Sequence, residues 1–302
     1  MTMEILLIGQ EGQLAFELER SLACLGSVMA VGRKSKIHID LEDLNGVSAL
    51  IRAIKPDLIV NAAAYTAVDS AESHQDLAYR INADAVAQLA QEAKGLKIPI
   101  VHYSTDYVFD GQSRTPYREE DPTGPLSIYG HSKLQGEIAL REAEIPHLIF
   151  RTGWVYGMRG QNFLLTMLRL MREKDALSIV NDQRGAPTWC RLIAEATALA
   201  LSQCVHQGRI QLGDREGTYH LTAGGETSWY GFAKAIRPLA IERGHLPAEC
   251  ALLNAITTAQ YPTAAKRPPH SVLATEKLHA AFGIRLPTWD KGLDLCLTAK
   301  AC

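Results

Sequence analysis

The first half of the chain alternates short apolar runs with stretches whose apolar residues recur every three or four positions. Glu4–Ile8 is a near-continuous apolar run that ends at Gly9, and Gln13–Leu25 then sets Leu14, Leu18, Leu22 and Leu25 along one helical face. Val28–Val31, Leu58–Val60, Ile98–Tyr103 and Leu148–Arg151 repeat the strand signal. Val47–Ile54, Ala67–Ala93 and Tyr129–Ala143 repeat the helical one. Strands apolar on both sides need cover on both faces, so the pattern predicts βαβ units: an α/β fold with a doubly wound parallel sheet.

Beyond about Trp154 the rhythm breaks. Phe163–Arg172 and Leu192–Ser202 are helical in spacing, Ile179–Pro187 is polar and turn-rich, and Thr218–Leu221 is a late strand able to rejoin the sheet. From about 225 onward the chain is rich in Pro and Ala and lacks the alternation. The expected division is a dinucleotide-binding Rossmann unit over 1–155 plus about 188–222. About 156–187 and 223–302 would form a smaller C-terminal substrate-binding lobe over the carboxyl edge of the sheet, where open α/β sheets bind ligands.

Composition narrows the partners more than the fold. A net charge of -2 over 302 residues gives no basic excess for nucleic acid or an anionic membrane. No apolar run approaches a membrane span, and the start of the chain lacks a signal-peptide pattern, so the expected address is the cytoplasm. The six cysteines, at 24, 190, 204, 250, 296 and 302, form no C-x-x-C pair and no zinc spacing with His. They read as reduced thiols in a reducing compartment.

Candidate chemistry begins at the first strand–helix junction. In Gly9-Gln-Glu-Gly12-Gln13-Leu14-Ala15, Gly9 permits a tight turn, Gly12 permits close approach of a pyrophosphate, and Ala15 permits close helix packing. The phosphates would rest on the helix N-terminus. The second strand ends in Val31-Gly-Arg33-Lys-Ser-Lys36, three positive charges with no carboxylate before Asp40. Arg33 there suits a ribose 2′-phosphate, so NADP(H) is preferred and NAD(H) possible, although a solvated basic loop would have the same composition. Asp40 and Leu41 are placed against the adenine, and Ala62, Ala63 and Ala64 leave room for the cofactor backbone.

Tyr129-Gly-His-Ser-Lys133 sets a phenol and an amine one helical turn apart. Such a pair arises often by chance. Here it follows a strand ending Tyr103-Ser104-Thr105-Asp106, so that a hydroxyl and the Tyr/Lys pair would converge on the nicotinamide edge. A phenol there can protonate the oxygen of a carbonyl under hydride attack. Lys133 lowers the phenol pKa by its charge, and Thr105 donates a hydrogen bond to the same oxygen.

With these residues in order, the chain resembles the extended short-chain dehydrogenase/reductase family over nearly its whole length. The carrying segments are Asn61–Glu72, Ser104–Gly111, Tyr129–Lys133, Arg151–Tyr156, Asn181–Thr188 and Tyr261–Thr263. The resemblance implies NADPH-dependent reduction of the 4-keto group of a nucleotide sugar, dTDP-6-deoxy-L-lyxo-4-hexulose, to dTDP-L-rhamnose. That product is a precursor of cell-surface polysaccharide such as lipopolysaccharide O-antigen. The resemblance implies catalytic roles for Tyr129, Lys133 and Thr105, and substrate contacts from Ser104, Thr105, Tyr129 and Trp154. Tyr103 joins the cofactor residues, and Arg267 is either a diphosphate contact or an exposed charge. The implied assembly is a monomer or homodimer. Some relatives dimerise through a divalent ion; at the aligned positions Glu17, Arg191 and Ala299 only the first is acidic, so no metal is expected, and the hydride chemistry requires none. The alternatives are an epimerase or dehydratase on the same scaffold, for which Asp106 is the only evident extra acid/base group, and a non-catalytic nucleotide-binding subunit.

Overall fold

The computed structural model describes residues 2–298; Ala299 and Cys302 fall outside them. β1 (Glu4–Ile8), α1 (Gln13–Leu22), β2 (Ser27–Val31), α2 (Leu44–Ile54) and β3 (Leu58–Asn61) open the chain. Two short helices, α3 (Val68–Ala71) and α4 (Gln75–Tyr79), lead through one π-helical turn at Arg80–Asp84 into α5 (Ala85–Leu96). β4 (Ile100–Thr105), α6 (Ile128–Glu142) and β5 (His147–Thr152) complete the alternating half. Then come β6 (Val155–Tyr156), α7 (Phe163–Glu173), β7 (Ala176–Val180), β8 (Arg184–Gly185), β9 (Thr188–Trp189) and α8 (Cys190–Ser202). The chain closes with the hairpin β10 (Val205–His206) and β11 (Arg209–Ile210), β12 (Gly217–His220), β13 (Thr227–Ser228), α9 (Trp229–Glu242), β14 (Leu252–Ile256), α10 (Glu276–Phe282) and α11 (Trp289–Thr298).

Six strands form one parallel sheet in the order β2-β1-β3-β4-β5-β12. The expected doubly wound sheet is present, and Thr218–Leu221 does return to it as β12. Strand alternation assigns each apolar side chain to one of two cores. Ile5, Leu7, Leu58, Val60, Val101, Leu148 and Phe150 face Leu14, Leu18 and Leu22 of α1 and Ile193 and Leu201 of α8. Leu6, Ile8, Ile59, Ile100 and Ile149 face Val47 and Ile51 of α2, Leu89 of α5 and Leu140 of α6. Each such side chain removed from water contributes about 1.5–3 kcal/mol. Period-2 alternation inside a wholly apolar strand is therefore what fixes the register.

The strand order reverses between β1 and β3, which opens a crevice at their carboxyl ends. Gly9 follows β1 at φ +111, and a Cβ there would come within 2.9 Å of the Ala63 nitrogen. Two loops thus touch where only glycine fits.

Several expectations need correction. Ala67–Ala93 is not one helix. The π turn rotates Asn82 inward, where Oδ1 accepts from Tyr65 N at 2.9 Å and Nδ2 donates to Tyr65 O at 3.1 Å and Ser132 Oγ at 3.0 Å. The stretch read as turn-rich includes the end of β7 and all of β8, and the Pro- and Ala-rich tail holds β13, three α-helices and β14. β7 and β14 pair in parallel over five positions. No helix among the described residues is long and apolar enough to cross a membrane.

Candidate active site

A cavity of about 610 Å³ lies over the carboxyl ends of β1, β2, β3 and β4. Its floor is the glycine turn, with Gly9, Gly12, Gln13 and Leu14; Arg33, Asp40 and Leu41 form one wall, and Ala62, Ala63 and Ala64 another. Tyr103, Ser104, Tyr129 and Lys133 close the far end. The structure thus brings together every cofactor residue expected from the sequence. Thr105 and Trp154 do not line the cavity. Thr105 lies buried behind its far end, and Trp154 stacks on Trp229 with ring centroids 3.5 Å apart.

Helix α1 begins at Gly12 with no side-chain cap and no acidic residue in its first turn. By contrast α2, α6, α7 and α9 are capped by Asp43, Ser127, Asn162 and Ser228. The free N–H groups of α1 open onto the cavity floor, a setting that favours an anion. Gln13 is anchored from both sides: its Nε2 donates to Val155 O at 3.1 Å, and its Oε1 accepts from Asn162 Nδ2 at 3.1 Å. Ser104 Oγ is buried at the cavity end beside the Glu137 carboxylate, with no hydrogen bond of good geometry in the protein. The absent Cβ at Gly9, the uncapped helix and the hydroxyl at the cavity end all fit a dinucleotide whose reactive ring reaches Ser104.

The reactive end is set by α6. Tyr129, Lys133 and Glu137 recur every four residues and share one face of the helix, turned toward β4 and β5. Burial pushes the Tyr129 phenol up to about 12, with the Thr105 hydroxyl opposing it and Asp106 adding to it. Thr105 Oγ1 donates its single proton to Asp106 at 3.1 Å and accepts from Tyr107 N at 3.2 Å. The expected donation from Thr105 to a substrate carbonyl therefore requires the hydroxyl to leave Asp106. Burial raises Asp106 itself to about 6, against hydrogen bonds from Ser271 and Thr105.

Lys133 is buried, and burial pulls its amine down to about 7 against the pull of Glu137. Nζ donates to Tyr103 O at 2.6 Å and lies 3.1 Å from His102 Nε2. His102 is buried, and burial, then Lys133, holds it neutral well below its ordinary pKa. Its other nitrogen, Nδ1, is 3.2 Å from Asn61 Nδ2, while Asn61 Oδ1 accepts from Ala63 N at 3.2 Å. The Ala63 N–H fixes the amide, so its nitrogen donates to Nδ1 and the imidazole carries its proton on Nε2. That proton points at Lys133, which can accept it only as a neutral amine. Charging Lys133 requires the other tautomer and a turned Asn61 amide, which gives up Ala63 in the cavity wall. None of Asn61 as a polar anchor, Asn82 or His102 was among the sequence candidates. For Asn61 and His102 the available signal was a polar residue inside an otherwise apolar strand; Asn82, on the π turn, had none.

Arg267 pairs with Asp69 through two contacts, Nη1 to Oδ1 at 3.1 Å and Nη2 to Oδ2 at 2.7 Å, so it is neither free nor a simple exposed charge. Glu17 is held by Arg191 Nε at 3.0 Å. Among the described residues no group of three or more His, Cys, Asp and Glu side chains is placed to hold a metal.

Residues 3–302 match the family described as "RmlD substrate binding domain". The dTDP-4-dehydrorhamnose reductase of Burkholderia thailandensis is 47% identical over 298 residues, 98% of each chain. That of Escherichia coli K12 is 45% identical over 296 residues, 98% of this chain and 97% of its own. The dTDP-4-dehydrorhamnose reductase of Bacillus anthracis, solved in complex with NADP, superposes with a TM-score of 0.86 at 31% identity, covering 99% of each chain. The Clostridium acetobutylicum reductase does so at 0.88 and 34%, covering 98% of this chain and 99% of its own. With relatives of this identity spanning almost the full length of both partners, the chain belongs to the dTDP-4-dehydrorhamnose reductase family.

Proposed function

We propose that the protein reduces the 4-keto group of dTDP-6-deoxy-L-lyxo-4-hexulose to dTDP-L-rhamnose, using NADPH in preference to NADH. The observation that carries this reading is the meeting of Tyr129, Lys133 and Ser104 at the end of a cavity floored by an uncapped helix. Bound there, the nicotinamide supplies a hydride to the carbonyl carbon. The chain supplies the rest. The N–H groups at the start of α1 hold the pyrophosphate, and Arg33 holds the ribose 2′-phosphate. Tyr129 Oη gives its proton to the carbonyl oxygen as charge develops there, and recovers one from solvent afterwards. Lys133, once charged, lowers the cost of the phenolate that remains. Ser104 orients the sugar carbonyl, Thr105 joins it once its hydroxyl has left Asp106, and Trp154, fixed on Trp229, borders the sugar outside the cofactor cavity. Trp154 holds φ at +50, a left-handed backbone that costs a non-glycine residue about 1 kcal/mol or more and that often marks a functional site.

In this reading the segments around 156–187 and 223–302 form the substrate lobe, and the protein works in the cytoplasm as a monomer or homodimer with no metal in the chemistry. The epimerase or dehydratase alternative is not favoured. Asp106, its one extra acid/base group, is bound to Thr105 rather than lining the cavity. The test is NADPH and NADH oxidation, followed by absorbance, with several nucleotide 4-keto sugars. Tight cofactor binding without turnover of any of them would leave a binding subunit instead.

Two outcomes follow from the assigned roles. Arg33→Ala should weaken NADPH binding by about 10- to 100-fold, the scale of one charge-assisted contact, and NADH binding much less. Equal losses in a fluorescence titration would remove the 2′-phosphate assignment. The second concerns pH. Lys133 sits near 7, far below the ordinary lysine value, so its charge is present below that pH and lost above it. The groups facing it are Glu137 on α6 and His102 and Tyr103 on β4, and Tyr129 lines the same cavity end. The kcat/KM for reduction should therefore fall as pH rises through about 7. A profile flat from 6 to about 9 would show that the free enzyme does not need the charged amine.

A further inference from the structure

Glu11, the third residue of the glycine turn, is exposed, but its carboxylate is not free. Its Oε1 accepts from the backbone N–H of Lys34 at 2.5 Å, bridging 23 positions of sequence. Both carboxylate oxygens lie over Gly32, so close that a Cβ at that glycine would collide with them. Glu11, Gly32 and Arg33 line the same rim of the cavity.

This rim follows the second strand, where dinucleotide folds tell a ribose 2′-hydroxyl from a 2′-phosphate. The loop beyond Gly32 is held by its own contacts. Gly32 N donates to Ser35 Oγ at 2.6 Å, Ile39 N to Gly32 O at 3.1 Å, and His38 Nδ1 lies 2.9 Å from Arg33 O. Lys34 N–H is the loop donor turned toward the glycine turn, and Glu11 takes it. A carboxylate in that place is an acceptor for a sugar hydroxyl and a like charge to a phosphate.

We propose that Glu11 is the residue that sets cofactor preference: its carboxylate occupies the ground a 2′-phosphate would take, and accepts from the ribose 2′-hydroxyl of NADH instead. The inference rests on the cofactor reading above and changes its balance. Arg33 draws the 2′-phosphate and Glu11 opposes it, so the two nicotinamide nucleotides compete on closer terms than the basic loop alone implies. For NADPH to bind, the Glu11 side chain must swing off Lys34 N–H and release it to the phosphate. For NADH it can stay.

The test measures dissociation constants of NADPH and NADH by fluorescence, and of adenosine 2′,5′-bisphosphate and 5′-AMP by calorimetry, for wild type, Glu11→Gln and Glu11→Ala. Removing one like charge at an exposed, partly screened site is worth on the order of a tenfold change in affinity. Glu11→Gln should therefore tighten NADPH and the bisphosphate by roughly tenfold, with NADH and 5′-AMP changed by less than about threefold. Glu11→Ala should also weaken NADH, because the acceptor is gone. An NADPH-to-NADH ratio that stays within twofold of wild type in both variants would overturn the proposal while leaving the reductase reading intact. A wild-type protein that bound neither dinucleotide would overturn both.

Discussion

Tyr129→Phe should bind NADPH with nearly unchanged affinity and turn over about 10²–10⁴-fold more slowly. The substitution removes one oxygen and keeps the ring, which meets Tyr107 edge-on at 5.8 Å between centroids, so the start of α6 should keep its packing. What is lost is the proton. Burial holds the resting phenol near 12, which keeps it protonated across the working range but makes it a reluctant acid. Each unit by which that pKa falls in the reacting complex is worth about 1.4 kcal/mol. The Thr105 hydroxyl already opposes the rise, and Lys133, one turn along the same helix and itself poised between charged and neutral, adds to that when charged. The measurement is a fluorescence titration of NADPH beside a single-turnover assay. Wild-type turnover in the Phe protein would mean that the proton comes from elsewhere.

The division of labour in this site explains what the sequence alone could reveal. β1 and β3–β5 are apolar on both sides, and only a parallel sheet covered on both faces uses such strands, so the doubly wound half was readable. β14 was not: it leaves Leu252 at 65% exposure, with Asn254, Ala255 and Ile256 only partly covered or open, so neither alternation nor burial marks it. Its identity as a strand comes from pairing with β7, more than 70 positions earlier. The break in the long helix near residue 80 was hidden for a related reason. Asn82 gains three hydrogen bonds to partners 17 and 50 residues away, and those offset the cost of a π turn that local propensity disfavours.

The same distinction runs through the site. Gly9, Tyr129 and Lys133 stand out by their own type and spacing, and all three line the cavity. Glu11, Asn61 and His102 acquire roles only from what they face. The reading that no carboxylate precedes Asp40 at the cofactor rim was true of the second strand, yet the first turn delivers one to the same place.

Glu137→Ala should cost about 3–5 kcal/mol of folding stability, the scale for stranding one member of a buried ion pair. Glu137 is fully buried and Arg151 nearly so. The carboxylate accepts from Arg151 Nε at 2.9 Å and Nη2 at 2.7 Å, and from Arg141 Nη1 at 3.1 Å. Burial alone would raise the Glu137 carboxyl, but Arg151 outweighs it and the group ends below its ordinary value. The stability it contributes is thus present above the unfolded carboxyl pKa and lost as pH falls through the lower folded one. In the alanine protein Arg151 keeps its charge, with Glu119 O at 3.3 Å, the Phe109 ring at 5.1 Å and the buried His220 still beside it. Glu137→Gln keeps the shape and removes the charge, so its loss should be smaller. Its second effect separates structure from chemistry. Glu137 is the charge that holds Lys133 up, so in the glutamine protein the alkaline fall of kcat/KM should move to lower pH even where the protein is fully folded. Denaturant midpoints and pH profiles on both variants check this. A loss under about 1 kcal/mol for the alanine protein would mean that Arg151 finds water or another partner. An unmoved profile in the glutamine protein would mean that the charge at 137 does not reach the Lys133 amine.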